Sequence, residues 1–244
     1  MSKRQMFFLG HLIISAIIAL FFIGIVFLCW YPSPLAKAIG VTHIFLMLIA
    51  IDVVLGPVLG LLVYKEGKKT LKMDLMVVIL LQLLALFYGL YNIEQGRPVW
   101  IVQNGDRFEL VRKNDLVLDQ IGKAKPQYQN PSWIKPQFVT IQQAKTIAEQ
   151  NKLIFEAIMS GTSLSMRPEH YTSLDSEKRQ MIKNAQPLSR LQQFNDSQQV
   201  KDILKKYPQV SAWLPLSSTS IDMTVLIDKE KGEVVKIVDL RPWK

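Results

Sequence analysis

The chain has 244 residues, 49% of them hydrophobic, and its single cysteine, Cys29, can form neither an intramolecular disulfide nor a thiolate metal site. Residues 1–93 hold only 7 of the 29 basic and 3 of the 20 acidic side chains, a segregation that argues against an ordinary soluble single-domain enzyme. The net charge of +9 is not gathered into a Lys/Arg run with interleaved aromatic residues, which argues against a nucleic-acid partner.

Three apolar runs are predicted to cross a bilayer as helices, at about residues 7–30, 38–64 and 75–93. The first would be roughly 36 Å long, enough for a hydrocarbon core of about 30 Å. Trp30, Tyr31, Tyr64, Tyr88 and Tyr91 fall near the ends, where amphipathic rings prefer the interface. A cleaved signal peptide is the rival reading of the first run, because Lys3-Arg4 and Ala36-Lys37-Ala38 resemble an n-region and a cleavage box. Its apolar stretch is, however, far longer than a usual h-region. Short-loop basic residues set the orientation: Lys3, Arg4, Lys65, Lys68, Lys69 and Lys72 lie on one side, against Lys37 on the other. The N-terminus is therefore expected in the cytoplasm and residues 94–244 beyond the membrane, in the periplasm of a Gram-negative bacterium.

Asp52 falls near the middle of the second run, with Gln82 of the third at nearly the same depth and Ser15 of the first slightly nearer the cytoplasm. Either an Asp52–Gln82 hydrogen bond glues the helices together, or Asp52 serves a proton or ion relay. A relay normally needs several ionisable groups in series, and only His11 and His43 are available, both away from the midplane. Gly56 and Gly60 form a small-xxx-small face, and Pro57 between them should kink the helix near Val53. That face either joins the three helices or receives a partner's transmembrane helix.

Residues 94–244 read as an extracytoplasmic α+β domain with antiparallel hairpins. Pro98–Gln103 and Arg107–Arg112 are predicted strands around an Asn104-Gly105 type I′ turn, and Ile221–Asp228 and Glu233–Leu240 form a second pair. A short helix is expected over Asn114–Ile121, then a proline-punctuated loop packed down by Trp133. Thr140 looks like the N-cap of a helix ending at Gly161, with further helices at Ser176–Asn184 and Ser197–Tyr207. Catalytic, cofactor and metal sites are not predicted. His170 is this segment's only histidine, and Ser132-Trp133-Ile134-Lys135 matches S-x-x-K only among prolines.

Several stretches together carry a resemblance: Asp52–Tyr64 around Gly56-Pro57, Arg97–Val102 leading to Asp106–Val111, the Pro32-Ser33-Pro34-Leu35 loop and the Arg241-Pro242-Trp243 end. In these the chain resembles the TfpX/TfpZ family of type IV pilin accessory proteins, which includes FimB-type proteins. It departs at Asn104-Gly105, where apolar residues are usual, and at Gly60, where a hydroxyl residue is common. The resemblance implies a non-enzymatic inner-membrane protein that helps pilus assembly or dynamics, including twitching. Its implied partners are the major pilin or the assembly platform. Asp52, Gly56, Pro57, Gly60 and Gln82 would then pack the helices or meet a partner helix. Arg97, Pro98, Asp106, Arg107 and Phe108 would form a membrane-proximal hairpin, either anchoring the domain at the bilayer or touching the partner. In that reading Arg97 snorkels to headgroups and Asp106–Arg107 pairs at the hairpin base.

Overall fold

The computed structural model describes residues 1–144 and 146–243. Helix α1 (Lys3–Gly24) runs on through a wider π-helical stretch, Ile25–Trp30, and is followed by a short helix, α2 (Leu35–Ile39). Two more long helices, α3 (Val41–Val63) and α4 (Leu71–Gln95), complete the N-terminal part. Ser2 caps α1: its hydroxyl accepts from the Gln5 N–H at 3.3 Å, while the Gln5 side chain accepts from the Ser2 N–H at 2.9 Å. α3 packs against both α1 and α4, and Ala19, Phe45, Ile49, Leu86 and Leu90 are buried where they meet. The most apolar windows of the three helices are only 17–22% buried, and by length and composition all three could cross a membrane.

The second long helix starts at Val41 rather than Ala38, because residues 35–39 form a helix of their own that docks into the following domain. Leu35 and Ala38 are 3% and 0% exposed, in one cluster with Ile101, Phe108, Leu110, Leu214, Leu216, Met223 and Val225. The Ala38 carbonyl accepts from the Ser220 and Ile221 N–H groups, each at 3.0 Å, and from the Ser218 hydroxyl at 2.9 Å. Gly40 ends α2 at φ +81°, and a Cβ there would stand 3.0 Å from Ser220 Oγ. Both the left-handed backbone and the close approach require glycine. Lys37 Nζ lies 2.5 Å from the Asp239 carboxylate, and the Tyr31 hydroxyl donates to the Ile93 carbonyl at 2.7 Å. Helices and domain are thus joined by a buried plug as well as by the chain leaving α4.

The domain is built on an eight-stranded mixed sheet: β1 (Pro98–Asn104), β2 (Arg107–Arg112), β3 (Gln137–Ile141), β4 (Tyr171–Thr172), β5 (Gln186–Pro187), β6 (Ala212–Ser217), β7 (Met223–Asp228) and β8 (Glu233–Val238). Its order is β4-β3-β1-β2-β6-β7-β8, with β5 also paired to β6. β1/β3 and β2/β6 are parallel, which a reading of local hairpins does not provide; the other pairs are antiparallel. The α2 plug lies in the core on one face. Two further clusters, around Trp100 and Tyr171 and around Trp213 and Leu226, complete the interior. Among the described residues the domain also holds four shorter helices, α5 (Pro126–Gln129), α6 (Ile147–Ser160), α7 (Lys178–Asn184) and α8 (Ser197–Leu204), of which α7 and α8 put Met181 and Val200 into the core.

Local patterns misplaced several boundaries. Thr140 lies in β3, paired with Gln103 of β1, and the N-cap is Thr146, whose hydroxyl accepts from the Glu149 N–H at 3.2 Å. Long-range pairing of the β-branched run Val139-Thr140-Ile141 overrides the capping pattern. The β1–β2 loop is Gly105-Asp106, closed by the pair Asn104↔Arg107, and only Gly105 has positive φ. Type I′ needs positive φ at both loop residues, so the turn is of another type. Asn114–Ile121 holds no α-helix, only flanking single turns at Lys113–Asp115 and Ile121–Lys123. Trp133 is 55% exposed, yet its ring meets Trp30 edge to face at 5.6 Å, so it ties the loop down by one edge while the rest stays open.

Candidate functional site

Two polar constellations stand out against these apolar surroundings. The first lies within the three-helix bundle and is centred on Gln82. Its Oε1 accepts from His11 Nε2 at 2.9 Å, and its Nε2 donates to Ser15 Oγ at 3.0 Å, to the Asp52 carbonyl at 3.1 Å and to Asp52 Oδ2 at 3.4 Å. His11, away from the midplane by its sequence position, therefore belongs to the cluster, because the glutamine side chain reaches past its own level. A Cβ at Gly56 would fall 1.9 Å from Gln82 Oε1, so the missing side chain is the space the amide occupies. A Cβ at Gly60 would lie 2.9 Å from the Phe7 ring. The small-residue face is filled by α1 and α4 of this chain, and Pro57 is buried inside a continuous α3.

This geometry sets an expected result. Gly56→Ala should destabilise the solubilised chain by about 1–2 kcal/mol, the usual cost of overpacking. The amide is a flexible tip, but moving it gives up the bonds to His11, Ser15 and Asp52. In a Gln82→Ala background the same change should cost little. Thermal unfolding of the four chains in detergent gives the coupling energy, and additive effects would separate Gly56 from Gln82.

The second constellation lies where α4 meets the sheet. Arg97 is buried: its Nε donates to Glu94 Oε1 at 3.1 Å and its Nη1 to the Ser132 carbonyl at 2.8 Å. Lys113 Nζ reaches the same carboxylate at 2.9 and 2.7 Å. Pro98 opens β1 beside this cluster. Arg97 is thus a structural cation inside the joint, not one that snorkels outward. Asp106 and Arg107 pair at 3.1 Å with 70% and 46% side-chain exposure, but at the turn end of the hairpin. The strand carries them about 20 Å from the end of α4, so the pair does not form the hairpin base.

Arg107 instead lies over the Trp243 ring, 6.0 Å from its centroid, and Trp243 Nε1 donates to Asp222 Oδ2 at 2.8 Å. Arg241 bonds the Asp222 carbonyl and the Asp239 carboxylate, and Asp239 also meets Lys37. Phe108 shares the core with Leu35 and Ala38. Stretches far apart in sequence (the loop after α1, the β1–β2 hairpin and the Arg241-Pro242-Trp243 end) therefore form one connected region. The sequence offered no spacing by which to find it.

Ser132 contributes its carbonyl to Arg97, while its hydroxyl accepts from the Ile134 N–H at 3.3 Å. The His170 carbonyl accepts from Gln142 N–H at 2.8 Å in the loop before α6. Burial raises the Tyr171 phenol above its ordinary pKa, helped by the Glu169 and Glu109 charges, and it donates to the Ser165 carbonyl as a neutral group. Among the described residues no three His, Cys, Asp or Glu side chains are grouped as metal ligands.

A family model for the fimbrial assembly protein FimB matches residues 2–40, which cover α1 and the α2 plug. The fimbrial assembly proteins of Dichelobacter nodosus serogroups E1 and I are each 30% identical to this chain, over 94% of both chains. The one from serogroups C1 and C2 is 32% identical over 51% of this chain and 100% of its own length. No solved structure matches. With full-length relatives at this identity, the chain belongs to the FimB-type family of fimbrial assembly proteins.

Proposed function

We propose that the protein is a non-enzymatic accessory factor of the bacterial inner membrane, acting in type IV pilus biogenesis or dynamics. Its three long helices cross the bilayer with the N-terminus in the cytoplasm, and the sheet domain stands in the periplasm. There it engages the major pilin or the assembly platform, with the helices offering a surface to the partner's transmembrane segment. Likeness along nearly the whole chain to proteins named for fimbrial assembly carries this reading. The buried α2 plug is consistent with it, because it ties the domain to the segment that links α1 to α3. The domain also leaves an apolar helix face uncovered, with Ile147, Phe155, Ile158 and Met159 exposed on α6.

Deletion in a piliated host should remove surface pili or alter their retraction, and normal piliation and twitching after deletion would overturn the proposal. The combined Ser132→Ala and His170→Ala chain should complement fully, whereas lost function would favour an enzyme. Alkaline phosphatase fused after the C-terminal residue should be active and β-galactosidase inactive there; the reverse would invert the topology.

A further inference from the structure

We infer that a phospholipid of the leaflet beside the sheet domain binds where the domain meets α1, its phosphate at Lys135 and Lys236 and an acyl chain along Leu28. This rests on the reading that the helices cross a bilayer. The loop over residues 131–136 is fastened to the ends of two helices. The Trp133 ring meets Trp30 edge to face at 5.6 Å, and Trp30 ends the π-helical stretch that follows α1. The Ser132 carbonyl is held by Arg97, just past the end of α4. These ties set the loop at the depth of the interface.

At that depth Trp133 is 55% exposed, Ile134 53% and Leu28 71%. A tryptophan there gains from a boundary that is apolar on one side and wet on the other. Beside the loop is a cavity of about 300 Å³ whose lining includes Leu28, Pro34, Lys135, Pro136, Val235 and Lys236. Its wall on the helix side is apolar apart from Ser33, and both cations belong to the domain. Among the described residues neither lysine has an acidic partner within ion-pair distance. Two unpaired cations beside an apolar, outward-facing leucine match an anionic headgroup with its chain attached better than a free phosphate.

The full chain, reconstituted in nanodiscs of mixed phosphatidylcholine and phosphatidylglycerol, can be released into mild detergent and its retained lipid counted by native mass spectrometry. Phosphatidylglycerol should be retained over phosphatidylcholine, and an excess of soluble glycerol phosphate should not displace it. Lys135→Ala with Lys236→Ala should reduce that preference by about thirtyfold, roughly fivefold for each lysine near a charged surface. The exposed pair Lys205→Ala and Lys206→Ala should leave it unchanged. Brominated lipid should quench the wild-type chain more than Trp133→Phe, which reports the loop's depth without touching the lysines.

Equal retention of the two lipids, an unaltered double variant or displacement by glycerol phosphate would each overturn the inference. Release of the wild-type chain from membranes by alkaline carbonate would refute the membrane reading on which it rests.

Discussion

A Leu35→Asp chain is expected to keep its three long helices in the membrane fraction and lose the folded sheet domain. Leu35 lies in a helix only five residues long, yet it is 3% exposed in a core shared with β1, β2, β6 and β7. Shortening it to alanine should cost about 2–5 kcal/mol, the range for large-to-small core changes. Aspartate removes the same contacts and also strands a carboxylate without a partner, costing several kcal/mol more. Together these approach the roughly 5–15 kcal/mol by which a domain is stable at all. The neighbouring Lys37→Ala is the contrast: its ion pair with Asp239 is 58% and 33% exposed and should contribute under about 1 kcal/mol. Urea titration of the solubilised chains, followed by tryptophan emission and by protease sensitivity beyond α4, separates the cases. An unchanged midpoint for Leu35→Asp would show that the plug does not hold the domain.

That plug marks the boundary of what can be read along the chain. Three long helices were legible because a run of apolar side chains specifies a membrane-length helix without help from the rest of the molecule. The break after Ile39 was not. Leu35, Ala36, Ala38 and Ile39 are as apolar as the helix they precede, and what separates them is contact with residues 218–221, far along the sequence. The sheet shows the same division. Alternation reveals strands, but the parallel neighbours of β1 and β2 come from residues 137–141 and 212–217, and nothing local encodes such pairing. In the bundle, Asp52 and Gln82 were conspicuous as polar residues in apolar runs. The role of Gly56 as the space for an amide needed the third dimension.

Arg97 is the site residue whose surroundings differ most from its sequence context, and Glu94→Ala is expected to expose the difference. Just beyond an apolar run, an arginine ordinarily turns outward to headgroups, but here its side chain is 3% exposed and that of Glu94 17%. Removing the carboxylate leaves a guanidinium inside the joint with the Ser132 carbonyl as its remaining acceptor among the described residues, and about 3 kcal/mol should be lost, as when one partner of a buried pair is removed. Arg97→Lys should cost less, about 1–2 kcal/mol. It keeps the charge but cannot donate along both Nε and Nη1 directions, as the planar fork does. Lys113→Ala should cost least, because Lys113 is 34% exposed and Arg97 still satisfies the carboxylate. The order Glu94→Ala, Arg97→Lys, Lys113→Ala is checked by urea titration of the solubilised chains. A Glu94→Ala chain as stable as wild type would return Arg97 to the bilayer surface and leave the joint to the α2 plug alone.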